Sequence, residues 1–360
     1  MANVSTSNLN DNLIKVGSIF PTGYCENACL HCGSGATVQG KPMPFEDINA
    51  LLTSEQVRLT PNFGLSGGGD PIHYSFNGKK LVHIVEILLA RGVKDVTIHT
   101  QGWHSDSEEC KNFFALTEFK KNILFRISYH AFAGISRERY LDKICTAACE
   151  CFFSGVRHTI DMLALPKLGK KLNGFMSADD MVSEIYQLLL SRLPVNYGIG
   201  NHVERISFLP SENGRTKANP RIPTFERLLA KGAKFNIRPR CTALEEAEIE
   251  KGLNIDQSGN VHICNGLYGL RVSVGNVYEN DARSINENKQ LFLQLMRGES
   301  TKRVKKGDEL PNVPIGFCIT DCAKANELFK TQKRTSPISK RMGAIIKPAE
   351  TARAKRALAM

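Results

Sequence analysis

The chain has 360 residues, 42% of them hydrophobic, and a formal net charge of +11. That is enough chain for a barrel-type domain plus a smaller one, and the composition is that of a globular protein rather than a fibrous or disordered one. No apolar run reaches the ~18 residues needed to span a bilayer, and Met1 to Asn12 lacks the apolar stretch of a secretory signal; no membrane partner and a cytoplasmic location are expected. Eleven cysteines in such a chain argue for metal or redox chemistry over a disulfide framework.

Residues 1–15 are polar and are expected to lack order. Val16 to Phe20 reads as a short strand, and it leads into Tyr24-Cys25-Glu26-Asn27-Ala28-Cys29-Leu30-His31-Cys32-Gly33. Three cysteines at C-x3-C-x2-C put three soft thiolate ligands on one tight loop, which suits an iron–sulfur cluster with one iron left open. A zinc knuckle is the alternative, but zinc sites usually pair two C-x2-C units, and none lies nearby. Phe45 to Leu59 is predicted helical. Asn62 to Leu65 is a short strand running into Ser66-Gly67-Gly68-Gly69-Asp70-Pro71, a glycine loop where a ligand could approach the backbone.

Lys79 to Arg91 is a well-patterned helix ended by Gly92. Val93 to Thr100 is a strand, followed by Gln101-Gly102-Trp103. Ser107 to Lys121 is predicted helical, Ile123 to His130 a strand, Ser136 to Phe153 a helix, Val156 to Leu165 a strand, Asp179 to Leu193 a helix and Arg205 to Pro210 a strand. This alternation implies parallel strands with right-handed crossovers, either as six βα units of a partial barrel or as a doubly wound sheet. In both, the C-terminal strand ends carry the chemistry. Cys25 to Cys32, the Gly67 loop, Gln101 to His104 and Ser128 to His130 fall there, with His99, Trp103 and His130 as candidates for a pocket rim.

Further on, Cys241 stands alone, and Leu253 to Cys264 reads as a hairpin around Asp256-Gln257-Ser258-Gly259. Val272 to Val277 follows, then helical Leu291 to Met296, and Cys318 and Cys322 open a last helix through Leu328. Cys241, Cys264, Cys318 and Cys322 make four ligands, enough for a closed iron–sulfur or zinc site. Cys110, Cys145, Cys149 and Cys151 remain, and core packing accounts for them. From residue 329 the chain is basic and expected to be disordered; it is either a solvated tail or an arm for an acidic partner.

The first cysteine run resembles the C-x3-C-x-φ-C motif of the radical S-adenosylmethionine (SAM) superfamily, with His31 at the φ position. Gly68-Gly69-Asp70-Pro71 is similar to its GGE-P motif, with Asp replacing Glu. Residues 235–328 resemble the SPASM/Twitch domains that follow many of its barrels, without the extra cysteines of a full SPASM domain.

The resemblance implies an α/β fold, a partial (β/α)6 barrel over 16–220, with a small C-terminal Twitch-like α+β cluster domain. It implies a [4Fe–4S] cluster on Cys25, Cys29 and Cys32 whose open iron binds SAM, and one auxiliary [4Fe–4S] cluster on Cys241, Cys264, Cys318 and Cys322. Gly67, Gly68, Gly69 and Asp70 would contact the methionine end of SAM, Ser128 the ribose and Arg139, preferred over Arg137, the carboxylate. The implied activity is reductive cleavage of SAM to a 5'-deoxyadenosyl radical and hydrogen abstraction from an unactivated C–H bond. A net oxidation or cross-link of a small natural-product intermediate or a peptide would follow, with a flavodoxin or ferredoxin-type reductant. The alternatives are a redox-neutral epimerase with Cys145 or Cys149 as hydrogen donor, and a non-enzymatic iron–sulfur or zinc protein that binds nucleic acid; His130 is a further catalytic candidate.

Overall fold

A computed structural model describes residues 12–27, 29, 32, 36–105, 107–115, 120–130, 136–164, 178–193, 203–207, 252–264, 272–303 and 344–346. Its centre is a nine-stranded, mostly parallel sheet. Six strands come from the βα repeat: β1 (Ile14–Ile19), β2 (Val57–Leu65), β5 (Asp95–Thr100), β6 (Ile123–His130), β7 (Arg157–Ala164) and β8 (Val203–Ser207). They lie side by side in chain order, each parallel to the next. A doubly wound sheet would reverse its order part-way, so the sheet is singly wound. A two-stranded ribbon, β3 (Ser75–Phe76) with β4 (Lys79–Lys80), stands apart.

The strands read as buried on alternate positions. Val96, Ile98 and Thr100 of β5 and Ile123, Phe125, Ile127 and Tyr129 of β6 point into one packed layer. The helices that cover this layer are α1 (Phe45–Thr53), α2 (Leu81–Ala90), α3 (Glu108–Phe114), α4 (Arg137–Ser154) and α5 (Ala178–Leu190). Ser107 and Ser136 cap α3 and α4 by accepting from the backbone N–H groups of Cys110 and Arg139, satisfying donors that a helix start leaves open.

Four expectations change. The helix expected over Ser107 to Lys121 is helical over Glu108–Phe114, and Lys120–Asn122 is a separate 3-10 turn. The helix expected over Phe45 to Leu59 ends at Thr53, and Val57 and Leu59 belong to β2. Val57 and Thr60 tolerate a strand, and pairing decides it: β2 has to reach back along β1 from Ile14. Between Leu59 and Gly64 the register against β1 shifts, and that bulge is where Pro61 is accommodated. The helix expected at Leu291 starts nine residues earlier, as α6 (Ala282–Arg303); Asp281 accepts from the Ser284 backbone N–H at its start. Finally, order reaches into both termini expected to lack it. β1 begins at Ile14, and in the basic tail Ile345 and Ile346 are 8% and 2% exposed, their N–H groups donating to the carbonyls of Asn280 and Val277. Two adjacent isoleucines gain enough by burial to hold that point of an otherwise polar segment.

The hairpin expected at Leu253 to Cys264 is present as β9 (Leu253–Ile255) and β10 (Asn260–His262), with β11 (Gly275–Asn276) beside it. It extends the main sheet: β9 pairs parallel with β1. This seam is backbone against backbone, because a Cβ on Gly252 would overlap the Gly17 amide nitrogen. Gly252→Ala is expected to lower stability by about 1–3 kcal/mol or more, read as a lower denaturation midpoint, while Gly92→Ala, with open space around it, pays only for its positive φ.

Candidate functional site

The cysteine loop leaves β1 at Phe20 and folds over the glycine loop. Three backbone hydrogen bonds clasp the two: Ser66 N–H to Ile19 O (3.3 Å), Gly69 N–H to Thr22 O (2.7 Å) and Asp70 N–H to Tyr24 O (2.8 Å). The glycines are required by that contact. A Cβ on Gly67 would come within 2.6 Å of the Phe20 ring, one on Gly68 within 2.8 Å of the Thr22 carbonyl oxygen, and one on Gly69 would overlap the Tyr24 carbonyl. Gly67 and Gly68 also have positive φ, which glycine adopts without strain.

Asp70 ties this clasp to the next strand. One carboxylate oxygen accepts from the Ile72 N–H (3.3 Å); the other accepts from the Thr100 hydroxyl (3.1 Å) and the Gln101 N–H (2.9 Å) at the end of β5. An ionised carboxylate offers roughly four acceptor positions, so one remains. The Gln101 side chain then turns to the cysteines: its Nε2–H donates to Cys29 Sγ at 3.3 Å, while its Oε1 is buried with no partner among the described residues.

Cys25 and Cys29 are buried and Cys32 half-buried. Burial pushes the Cys25 thiol up to about 12, the charge of Asp70 adds to this, the Asn27 backbone N–H opposes it, and Cys29 and Cys32 raise it further. The three sulfurs therefore sense one another. Among the described residues no three His, Cys, Asp or Glu side chains stand close enough to hold a single metal ion. A four-iron cluster makes a different demand, since each cysteine binds a separate iron. A thiol with so high a pKa carries no thiolate at neutral pH unless a metal displaces its proton. The donor set fits a cluster in a second way: a thiolate can only accept, and Gln101 presents an N–H to Cys29.

Helix α4 holds the loop from the other side. Arg139, Lys143 and Ala147 share one face at i, i+4 and i+8. Lys143 is fully buried and its ammonium pairs with Glu26, with Asn27 Oδ1 at 3.4 Å. Arg139 lies 3.7 Å from Glu26 and donates to His104 Nε2 at 3.1 Å, and His104 is itself 3.2 Å from Glu26. Burial works to raise the Glu26 pKa, but the Lys143 hydrogen bond and the charges of Lys143, His73 and His104 outweigh it and hold it below 4.5.

The strand face beyond the loop carries a polar ladder. Arg126 of β6 donates to Asp161 of β7 at 2.7 Å, and Thr159 donates to the same carboxylate at 3.2 Å. His99 of β5 is level with Arg126; burial takes its pKa down to about 4, with Arg126 lowering it further and Asp161 opposing. Ser128 alternates onto the Arg126 face, and its carbonyl accepts from Tyr140 OH at 2.7 Å.

Other expected residues fall elsewhere. Trp103 is not a rim residue: it is 2% exposed and packs against Phe113, Phe114 and Phe125, because a large ring at a strand end gains most by entering the core. Cys145 and Cys149 lie off the Arg139–Lys143 face, where Arg192 and Glu150 influence Cys149 and Arg192 and Asp142 influence Cys145. Arg137 pairs with Glu184 of α5, not with the cysteine loop. The His130 side chain, and Cys241, Cys318 and Cys322, lie outside the described residues. Cys264 lies two residues beyond β10, which runs back along β9 so that His262 pairs with Asn254. Sequence reasoning placed Glu26 and Gln101 within stretches at the strand ends without giving either a role, and missed Lys143. The i, i+4 pairing of Arg139 with Lys143 after a Ser136 cap was the available signal.

No family model matches the chain, and no curated protein matches it. Twelve chains of known structure do. Streptococcus suis SuiB bound to precursor peptide SuiA is 15% identical with a TM-score of 0.44, over 75% of this chain and 64% of SuiB. Native anSMEcpe with bound AdoMet and Cp18Cys peptide is 13% identical with a TM-score of 0.48, over 89% of this chain and 97% of that one. BtrN in complex with AdoMet and 2-DOIA is 12% identical with a TM-score of 0.38, over 81% of this chain and 89% of that one. The chain thus spans about two thirds of the length of SuiB, and similarities this low say nothing of its chemistry.

Lys143→Met should leave Glu26 without its buried partner and lower stability by about 3 kcal/mol, with Glu26→Gln in the same chain restoring most of the loss in chemical denaturation. The depressed Glu26 pKa fixes the pH sign: its stabilisation is full above the ordinary value of 4.5 and disappears as pH falls through the lower folded value. The denaturation midpoints of the wild type and Lys143→Met should therefore converge in acid.

Proposed function

We propose that the chain is a radical SAM enzyme, an oxidoreductase or maturase with a partial (β/α)6 barrel and a Twitch-like region, whose cluster is held by Cys25, Cys29 and Cys32. The observation that carries this is the clasp of the three-cysteine loop on the glycine loop, with Gln101 donating an N–H to Cys29. When bound, a four-iron cluster and SAM supply a 5'-deoxyadenosyl radical that takes hydrogen from an unactivated C–H bond.

The chain's own residues bind, orient and exclude water. Lys143 holds Glu26 and Asn27, and with them the start of the loop, against α4. Gly67 to Asp70 and the one remaining acceptor position of Asp70 would take the amino end of SAM. Arg139, half in solvent beside Glu26, would meet its carboxylate as a charge-assisted pair, and Ser128 its ribose. The Arg126–Asp161 pair with His99 beside it would offer hydrogen bonds for orienting a polar substrate. A peptide or a small natural-product intermediate is the substrate class, a flavodoxin or ferredoxin-type protein the reductant, and Cys241, Cys264, Cys318 and Cys322 the site of an auxiliary cluster. Net oxidation or cross-linking suits that second cluster, which could accept an electron from the substrate. The epimerase alternative needs a thiol beside the substrate, and Cys145 and Cys149 lie on another face of α4.

Anaerobic reconstitution should give about eight irons per chain, falling to about four in a Cys25/Cys29/Cys32→Ala variant. About four irons falling to none would remove the auxiliary cluster, and no iron in the wild type would remove the proposal. Gln101→Leu should leave the iron content unchanged and shift the midpoint potential of the cysteine-loop cluster to more negative values, because an N–H donated to sulfur favours the reduced, more negative state; a redox titration followed by electron paramagnetic resonance reads this.

A further inference from the structure

Asn27 stands midway between Cys25 and Cys29 and is fully buried. Its side-chain nitrogen Nδ2 is enclosed with no hydrogen-bond partner among the described residues. A buried donor left unpaired costs free energy that a solvated asparagine does not lose. The other end of the same amide is engaged: Oδ1 faces the Lys143 ammonium at 3.4 Å. That contact decides which way the amide points. An ammonium carries donors only, so turning the amide over would set N–H against N–H inside the protein. The two Nδ2–H donors therefore face away from Lys143. The neighbouring carboxylate does not answer them, because Glu26 is taken by Lys143, with His104 and Arg139 beside it.

The satisfied donors at this loop show what kind of acceptor the place offers. The backbone N–H of Asn27 donates to Cys25, and the Gln101 side chain donates to Cys29 Sγ at 3.3 Å. Both end on sulfur. We propose, resting on the cluster reading given above, that Asn27 Nδ2–H donates to a sulfur of the cluster held by Cys25, Cys29 and Cys32, and that Lys143 is the positioning residue that aims it. Hydrogen bonds to the sulfurs are one of the levers on a cluster's potential, and each favours the reduced state, which carries more negative charge. Asn27 from inside the loop and Gln101 from the end of β5 thus act on the cluster together, and α4 sets the potential through Lys143 without a ligand of its own.

The decisive measurement uses the full-length chain reconstituted anaerobically with iron and sulfide, without SAM. With asparagine labelled by nitrogen-15 at its side-chain amide, electron–nuclear double resonance of the reduced cluster should show a nitrogen coupling that is missing in Asn27→Leu. Asn27→Leu should keep the wild-type iron content and shift the midpoint potential to more negative values. That shift should shrink in a Lys143→Met/Glu26→Gln background, where nothing aims the amide. The coupling is read on the wild type, so it decides even where a variant loses its cluster. No coupling in the wild type, as for an Nδ2 that meets only buried water, or an unchanged midpoint in Asn27→Leu overturns the proposal. An equal shift in both backgrounds overturns the part given to Lys143. A wild type that takes up no iron is a separate failure, since it removes the cluster reading itself.

Discussion

The clasp between Phe20–Tyr24 and Gly67–Asp70 is the constraint on which the site depends. Two loops from neighbouring strands must lie in van der Waals contact along their backbones, and no side chain fits between them. Three hydrogen bonds lock their relative height. Asp70 sits at the end of this contact, so the same packing that admits only glycine also fixes a buried carboxylate against the end of β5. From there Gln101 is placed toward Cys29 by its own backbone hydrogen bond, not by choice of rotamer alone.

The second determinant is electrostatic. A fully buried lysine is tolerable only if paired, and Lys143 meets Glu26 and Asn27, two residues lying between Cys25 and Cys29. The pair ties Glu26 and Asn27 to α4. The hairpin supplies a matching brace from the sheet edge. Asp256 accepts from the backbone N–H groups of Ser258 and Asn260, and its other oxygen meets Asn260 Nδ2 and His262 Nε2, both at 3.0 Å. His262 Nδ1 faces the Val272 carbonyl at 2.7 Å, so both ring nitrogens meet oxygen acceptors, and the ring stacks on Phe20. The residue that opens the cysteine loop is thereby gripped by the glycine loop on one side and the hairpin on the other.

Much of this could be read from the residues in order. β6 falls on Ile123 to His130 as alternation predicts, and the Ser107 and Ser136 caps and the hairpin turn at Asp256 mark their elements by local chemistry. What failed was local ambiguity. Ile48, Leu51, Leu52, Val57 and Leu59 hold a spacing that a helix could carry throughout, and only pairing with β1 makes the last two a strand. The start of α6 was hidden because Arg283 to Gln290 is polar apart from Ile285 and buries its side through Asn288 instead. In the site, the cysteines and glycines were legible because their chemistry is in their spacing. Glu26 and Lys143 were not: 117 positions separate them, a lysine reads as a solvated residue, and only the crossing of α4 over the loop brings the charges together.

Charge is paired at both ends of the sheet, and sequence neighbours do not supply the partners. Toward the C-terminal strand ends, among the described residues, buried Lys143 has Glu26, half-buried Arg126 has Asp161 and exposed Arg137 has Glu184. At the N-terminal ends Arg157 likewise takes Asp95. A net charge of +11 spread over the chain would leave surplus cations at exposed positions, where water screens them.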